Sequence, residues 1–500
     1  MKRGGGAEGR RVIERSRITR RAFLRTVAGA AAAVVLRPAP VTKRRSKTLK
    51  ILQWSHFVPS HDVWFDKYAG DWGTAHGVQV TVDHIALADL GTRATAEVAA
   101  QQGHDLFQFL SPPGAFEPQV LDMADVVQEA ERRNGPILDL CKRSTYNPVT
   151  KKWFGFSDNY VPDPGDYLKS VWTDVGMPDG PSTWEDLVTA APLIRSKHPE
   201  IQIPIGIGMS QELDSNMVAR AMLWSFDASV QDENENVVLD SDHALEALEF
   251  GARLFKAGMN PAVLSWNAAS NNQALNARQT AYILNSISAY RTAQDNKLPV
   301  ADDIYFVPAL KGPRGTRWAS EHVMGIYVIW KFAENPDLAK RFLLDLVAHY
   351  RDAVMASKLY NFPSFPGSVA EPGVPLAQKP AAGNQWLQQA AANDPFGSNP
   401  PSKLKPIGTA LEWATNIGHP GPANPAEGEV FDTFVLPTMF ANAATGQMTP
   451  KQALEAAHKQ VKTIFEKWRS KRSMRPGWRR VWRDAAIRSP PAVDGASFRQ

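Results

Sequence analysis

Several short stretches of the chain set hydrogen-bonding side chains beside aromatic or apolar ones: Trp54-Ser55-His56-Phe57, Asp83-His84, Ser111-Pro112, Met209-Ser210, Asn285-Ser286-Ile287-Ser288 and Glu321-His322. All but the last follow an apolar, β-type run, and Glu321-His322 precedes one. Asn, Asp, Glu and His offer forked donors and acceptors, while a Trp ring offers a flat apolar wall. Such a mixture complements a molecule with a rim of hydroxyls and an apolar C–H face, which is the chemistry of a sugar. Trp266, in a polar loop ahead of a helix, is a candidate stacking wall, and Asn361, just after a helix, is a candidate for closing the site. Each residue also has a plainer reading, as a satisfied structural hydrogen bond or a packed ring.

Bond-making chemistry has less support. No nucleophile elbow, phosphate loop, paired-histidine zinc helix or dinucleotide glycine fingerprint is present. Glu321, Asp158 and His322 are the residues an acid–base enzyme would use, but a glycosidase reading depends on a carboxylate separation that sequence does not give. Asp232-Glu-Asn-Glu-Asn236 starts like a calcium loop, yet Val237 stands where glycine belongs and His243 where glutamate belongs. A polar hairpin tip fits better. His56 and His61 have no third ligand at metal spacing, so neither a metal nor a cofactor is expected. Cys141 is the single cysteine, which rules out an internal disulfide and any multi-cysteine metal site.

Charge is concentrated at the ends. Residues 1–50 hold 15 Lys and Arg against 2 acids, and residues 467–500 hold 10 against 2. The remainder has 31 basic and 47 acidic residues, so its net charge is near −16 although the whole chain is +5. A basic chain invites a nucleic-acid reading, and here the acidic body excludes it. Near the start, Thr19-Arg20-Arg21-Ala22-Phe23-Leu24-Arg25 and the apolar run Thr26 to Leu36 resemble a bacterial twin-arginine export signal. Eleven helical residues span roughly 16 Å, about half a bilayer core, so a stable membrane anchor is not expected.

The body alternates strand-like and helix-like runs. LKILQW, VQVTVDHI and HDLFQFL are separated by helical stretches, the first carrying Trp64, Tyr68 and Trp72 on one face. That is βαβαβ, the pattern of a largely parallel sheet covered by helices. It resumes after about residue 180 with a capping-box spacing at Ser182 and Glu185. The strand-like runs IPIGIGM, TAYILN, DIYFVPA and MGIYVIW follow. Asn335-Pro336 and Thr449-Pro450 each open a helix, and the latter has an apolar stripe through Leu454, Ala457, Val461, Ile464 and Trp468. The Pro- and Gly-rich region 361–428 is expected to run over the surface.

The stretch WNAASNNQALNARQTAYILNSISAYRTAQ (266–294) carries the strongest resemblance to a known family. LQWSHFVPSHDVWFDKYAGDW, GHDLFQFLSPPGAF, PSTWEDLVTAAPLI and HVMGIYVIWKFAENPDLAKRFLLDL support it, in that order along the chain. They resemble the extracellular solute-binding proteins, family 1, of sugar-importing ABC transporters, over residues 48 to 470 or so. The resemblance implies two doubly wound α/β lobes joined by a hinge, in the type II periplasmic-binding-protein manner, with the ligand between them. Lobe 1 is then 48–158 plus 298–350 and lobe 2 is 159–297 plus 351–470. Residues 1–47 are then the signal and its basic linker, and 471–500 a basic, poorly ordered tail.

It further implies a periplasmic or extracellular monomer that gives a sugar or oligosaccharide to membrane permease subunits, exported by the twin-arginine machinery. The expected ligand contacts are Trp54, His56, Asp83, Ser111, Ser210, Trp266, Asn285, Ser288, Glu321, His322 and Asn361. Rival readings are an exported glycosidase or lyase, and a receptor for a non-sugar solute such as a polyamine or peptide.

Overall fold

The structure, a computed structural model, describes residues 47–321 and 323–473. The twin-arginine-type segment, His322 and the chain beyond Ser473 lie outside the described residues. In chain order, the strands of the two main sheets are β1 (Thr48–Trp54), β2 (Gln79–Ile85), β3 (Leu106–Phe109), β4 (Phe156–Tyr160) and β5 (Gly165–Leu168). They continue as β6 (Ile203–Ile205), β7 (Thr280–Leu284), β8 (Ile304–Val307), β9 (Met324–Ile329) and β10 (Phe362–Pro363). The larger sheet has the order β10-β4-β9-β3-β1-β2, and the smaller one β8-β5-β7-β6. Both sheets are mixed. β1 pairs in parallel with β2 and β3, and β6 with β7, while β4, β5, β8, β9 and β10 pair antiparallel.

The sequence dictates much of this locally. Leu49, Ile51, Leu52 and Trp54 are all buried along β1, as a strand covered on both faces requires. The helix Pro59–His76 carries the chain from β1 to β2. On its aromatic face Trp64 stacks on Tyr68 at 5.4 Å between centroids, while Tyr68 and Trp72 meet Phe342 at 5.7 and 5.2 Å. Gly77, at φ +62°, ends the helix in the left-handed region that glycine enters most easily. Among the described residues the chain then passes between the sheets through 161–164, from β4 to β5, and through 308–321, from β8 towards β9. Val161, in the first of them, donates its N–H to the Val323 carbonyl, just ahead of β9, at 2.9 Å.

Several details differ from the sequence reading. β8 was expected with lobe 1 but pairs with β5 in the smaller sheet, and β10 was expected with lobe 2 but pairs with β4 in the larger one. Isolated apolar runs do not encode which neighbour they bond. The capping box is one residue on, with Thr183 and Asp186 reciprocally bonded. Asn335 makes no side-chain cap bond to its helix; its Nδ2 donates to the Thr48 carbonyl at 2.8 Å. Asp232–Asn236 is a hairpin tip beneath the antiparallel bridge Gln231–Val237, and Asp232 gathers the Asn234 and Asn236 N–H groups.

The Pro-rich region is the largest correction. Phe362, Phe365, Val369, Leu404, Ile407 and Trp413 are buried in it rather than surface-bound. Ionic partners on the smaller lobe make this possible. Arg291 grips Asp394 with two bonds of 2.8 and 2.9 Å, and both side chains are essentially inaccessible. Lys403 is buried with its Nζ on the carbonyls of Ala301 and Asp302, between the rings of Tyr290 and Tyr305. The helix Pro450–Ser473 then docks through Leu454, Ala457, Val461, Ile464 and Phe465. Among the described residues, no helix is long and apolar enough to cross a membrane.

Candidate functional site

Two groups of side chains meet between the sheets. The first belongs to the larger sheet. Trp54, the last residue of β1, lies 4.8 Å from the His56 ring, 5.3 Å from Phe57 and 6.4 Å from Tyr360. The Val58 N–H donates to His56 Nδ1 at 2.8 Å, which assigns the ring proton to Nε2. Nε2 then donates to Asn361 Oδ1 at 3.2 Å. Burial, with His61 stacked alongside, holds His56 well below its usual titration range, so it works as a neutral donor. Tyr360 and Asn361 are presented by a turn in which Lys358 and Leu359 both have positive φ, 53° and 66°. Two consecutive left-handed non-glycine residues are costly, and their neighbours hold them there. Arg291 Nε donates to the Lys358 carbonyl at 2.9 Å, and Lys358 pairs with Asp295.

The second group belongs to the smaller lobe and is a knot of amides and hydroxyls. Asn285 follows β7 and Ser288 opens the helix Ser288–Asp295. Asn285 Nδ2 donates to Asn272 Oδ1, and Asn272 Nδ2 donates to Ser288 Oγ at 3.0 Å. The hydroxyls of Ser288 and Ser286 lie 3.1 Å apart. Asn271 donates to Asp214 Oδ2 at 2.9 Å at the start of the helix Leu213–Ser225. Asn271, Asn285, Ser286 and Ser288 are all buried. The two groups touch at Tyr360, where burial and the charges of Asp214 and Asp163 push the phenol upward. Phe57 of the first group and Asn272 of the second line one open groove of about 490 Å³, together with Gln273, Asn276 and Thr292.

Seven of the expected residues fall in or beside these groups. Trp54, His56 and Asn361 form the first, and Asn285 and Ser288 anchor the second. Trp266 is half-buried and joined to Ser210, whose Oγ donates to the Trp266 carbonyl at 2.5 Å. The Ser210 N–H reaches Ser215 Oγ at 3.1 Å, next to Asp214, so this pair flanks the second group.

The others lie elsewhere. Asp83 sits on the edge strand β2 with a side chain 62% exposed, where it receives His104 Nε2 at 3.0 Å. Ser111 is half-buried one residue past Leu110, whose carbonyl accepts from Met324. Glu321 is buried, and desolvation pushes its carboxyl up to about 8 against the pull of Arg220. Arg220 is itself fully buried and donates to Glu427 Oε2 at 3.0 Å and to the Ile417 carbonyl at 2.9 Å. His322 is outside the described residues.

Sequence reading overlooked Tyr360, Asn271, Asn272 and Asp214. The Asn271-Asn272 pair at the start of a helix was the visible sign: two adjacent amides are poor helix formers.

A model of the bacterial extracellular solute-binding proteins matches residues 59–344. No curated protein matches the sequence. Among solved structures, maltose-bound MalE3 of T. maritima is similar at a TM-score of 0.67 and 19% identity, over 83% of this chain and 99% of that one. A laminaribiose-bound sugar transporter from Arthrobacter chlorophenolicus A6 gives 0.66 and 16%, over 83% and 99%. The GacH receptor of Streptomyces glaucescens, solved unliganded and with acarbose, gives 0.65 and 16%, over 84% and 99%. At these identities the likeness shows the fold: two α/β lobes of the type II periplasmic-binding-protein kind.

Proposed function

The chain belongs to the bacterial extracellular solute-binding proteins, and on that premise we propose that it is a receptor for a sugar or oligosaccharide, held between the lobes and handed to an ABC permease. One observation carries this reading: a ring-lined group on the larger sheet faces an amide–hydroxyl knot on the smaller lobe, and both reach one groove. Rings accept the apolar faces of a pyranose. Asn and Ser side chains donate and accept at once, as sugar hydroxyls do. A groove of about 490 Å³ is within the usual range for small-molecule sites, about 300–1,000 Å³. The carbohydrate ligands named for MalE3, GacH and the Arthrobacter protein point the same way.

The mechanism follows from the arrangement. Trp54, His56, Tyr360 and Asn361 move with one sheet, and Asn272, Asn285 and Ser288 with the other. A ligand touching both groups favours the state in which they are close, by its differential affinity for that state. The segments 161–164 and 308–321 are two of the connections that bend. Export by the twin-arginine route, read from Thr19 to Arg25, and work outside the cytoplasmic membrane as a monomer complete the proposal. Isothermal calorimetry against an oligosaccharide panel, with small-angle scattering of the same samples, tests it. The expected result is saturable binding of at least one sugar together with compaction. Binding to none of them, or turnover of a chromogenic glycoside that disappears in Glu321→Gln, overturns it.

A further inference from the structure

The first turn of the helix Pro59–His76 holds His56 from two sides. Asp62 Oδ2 accepts from the His56 N–H at 2.9 Å, and the His61 ring stacks on the His56 ring with centroids 4.5 Å apart. His61 itself is buried and does not line the groove. Its Nδ1 is enclosed without a hydrogen-bond partner, and so is Asp62 Oδ1, 3.9 Å away. Enclosed polar atoms are normally paired, so two open ones side by side call for a reason. A proton on His61 makes both ring nitrogens donors, and the attraction of the resulting cation for the carboxylate closes a gap that a neutral ring leaves open.

The other titratable groups packed here are already satisfied or stay neutral. His84, from the end of β2, has its Nδ1 3.7 Å from Asp62 Oδ1, but its Nε2 is bonded to Asp66 Oδ1 at 2.8 Å. The Tyr327 phenol on β9 takes the Gln53 amide, and burial together with Asp158 and Asp62 pushes it upward. Tyr360, 4.9 Å from the His56 ring, is pushed the same way by burial. The helix Tyr350–Ala356 touches this turn through Ser60 Oγ, which donates to the Ala356 carbonyl at 2.7 Å, a contact without charge. His61 is thus the imidazole whose new N–H finds an acceptor still open.

We propose that His61 is a positioning residue for the solute site: neutral, it braces His56, and protonated, it turns to Asp62 and releases His56, so that the site loosens in acid. What His56 holds rests on the sugar-receptor reading, whereas the movement itself does not. Closing 3.9 Å to hydrogen-bond length takes about 1 Å. That shift draws the His61 ring out of the stack or draws Asp62 away from the His56 N–H. Either change removes one of the contacts that aim His56 Nε2 at Asn361 Oδ1.

Imidazole NMR on the full ligand-free chain tests the movement. At pH 8 the His56 Nε2–H is expected as a slowly exchanging resonance, assigned by its loss in His56→Gln. As pH falls to 5, across the range in which histidines gain charge, it should broaden and vanish in step with the His61 ring signals. In His61→Phe, which keeps a ring against His56 and has no proton to gain, the resonance should persist to pH 5. Calorimetry with maltose and laminaribiose as probes gives the functional counterpart. Parent affinity is expected to fall about two- to tenfold from pH 8 to pH 5, the size of one net hydrogen bond, with a ratio closer to one in His61→Phe. His61→Ala should show the same flat profile and bind more weakly than His61→Phe at pH 8, because its ring is gone. A His56 resonance indifferent to pH in the parent, or one that fades alike in His61→Phe, overturns the proposal. So does an equal pH dependence of affinity in parent and His61→Phe. If neither sugar binds at any pH, it is the sugar reading that fails, and the spectra alone decide whether His61 moves His56.

Discussion

The two groups that meet between the sheets are made differently. On the larger sheet, Trp54, His56, Phe57 and Tyr360 are rings continuous with the hydrophobic core, and one histidine–amide bond orients them. On the smaller lobe, Asn271, Asn272, Asn285, Ser286 and Ser288 are small polar groups positioned by each other. Rings give area with little directional demand, whereas amides and hydroxyls give direction with little area. On the proposed function, this difference divides grip from discrimination: we infer that the ring side sets how tightly a sugar is held and the amide side which sugar is accepted.

The largest expected effect comes from removing the buried ion pair of the smaller lobe. Arg291→Ala leaves Asp394 buried without its partner, and breaking such a pair costs about 3–5 kcal/mol. Urea unfolding should show that loss, and Arg291→Leu with Asp394→Leu should recover part of it. An unchanged midpoint in the single variant means that the smaller lobe does not depend on this pair.

Next come the groups themselves. Asn285→Ala removes a donor from a buried network, which costs about 1–3 kcal/mol. It is expected to change the ratio of affinities between sugars that differ at one hydroxyl. Trp54→Ala is expected to weaken all of them by a similar factor. Calorimetry with a pair of epimers measures both, and the division of labour fails if the two variants shift the ratio alike.

A moderate effect is expected from pH. Burial raises Asp158 to about 7 and Glu321 to about 8, while an unfolded chain ionises both near 4. Between those values the folded state binds more protons than the unfolded one, so these groups lower stability as pH rises from about 4 to about 8, after which the loss is complete. Asp158→Asn and Glu321→Gln should therefore melt higher than the parent at pH 8 and close to it at pH 5. Equal differences at the two pH values contradict the assignment.

The smallest effect belongs to Asp83→Asn. Its side chain is largely exposed and paired with His104, and exposed ion pairs contribute about 0–1 kcal/mol. Sugar affinity should not move.

Local features of the fold were legible in the sequence. The β1-helix-β2 pattern, the aromatic face of Trp64, Tyr68 and Trp72, and the final helix opened by Pro450 all follow from period and turn chemistry. Long-range partnership was not. The segment 304–307 reads equally well as a strand in either sheet, and proline and glycine in 361–428 hide that Arg291 and Lys403 supply what a buried loop needs. The site divides the same way. Strand exits pointed to Trp54, His56, Asn285 and Ser288, because a strand end is visible in sequence. Tyr360 enters through a turn with two left-handed residues, and nothing in Lys358-Leu359 announces that geometry. Asp83 satisfied the strand-exit rule, yet β2 is the outer strand of its sheet, so the rule alone overreached.

The solitary thiol of Cys141 is wholly enclosed, and burial drives it up to about 12, so it has almost no nucleophilic thiolate at neutral pH. For labelling chemistry this makes the native chain nearly silent. A cysteine introduced at Leu298, which is 37% exposed on the rim of the groove, becomes the one site a maleimide dye can reach quickly. A dye there would report the arrival of solute by its brightness, with no background from the protein's own sulfur.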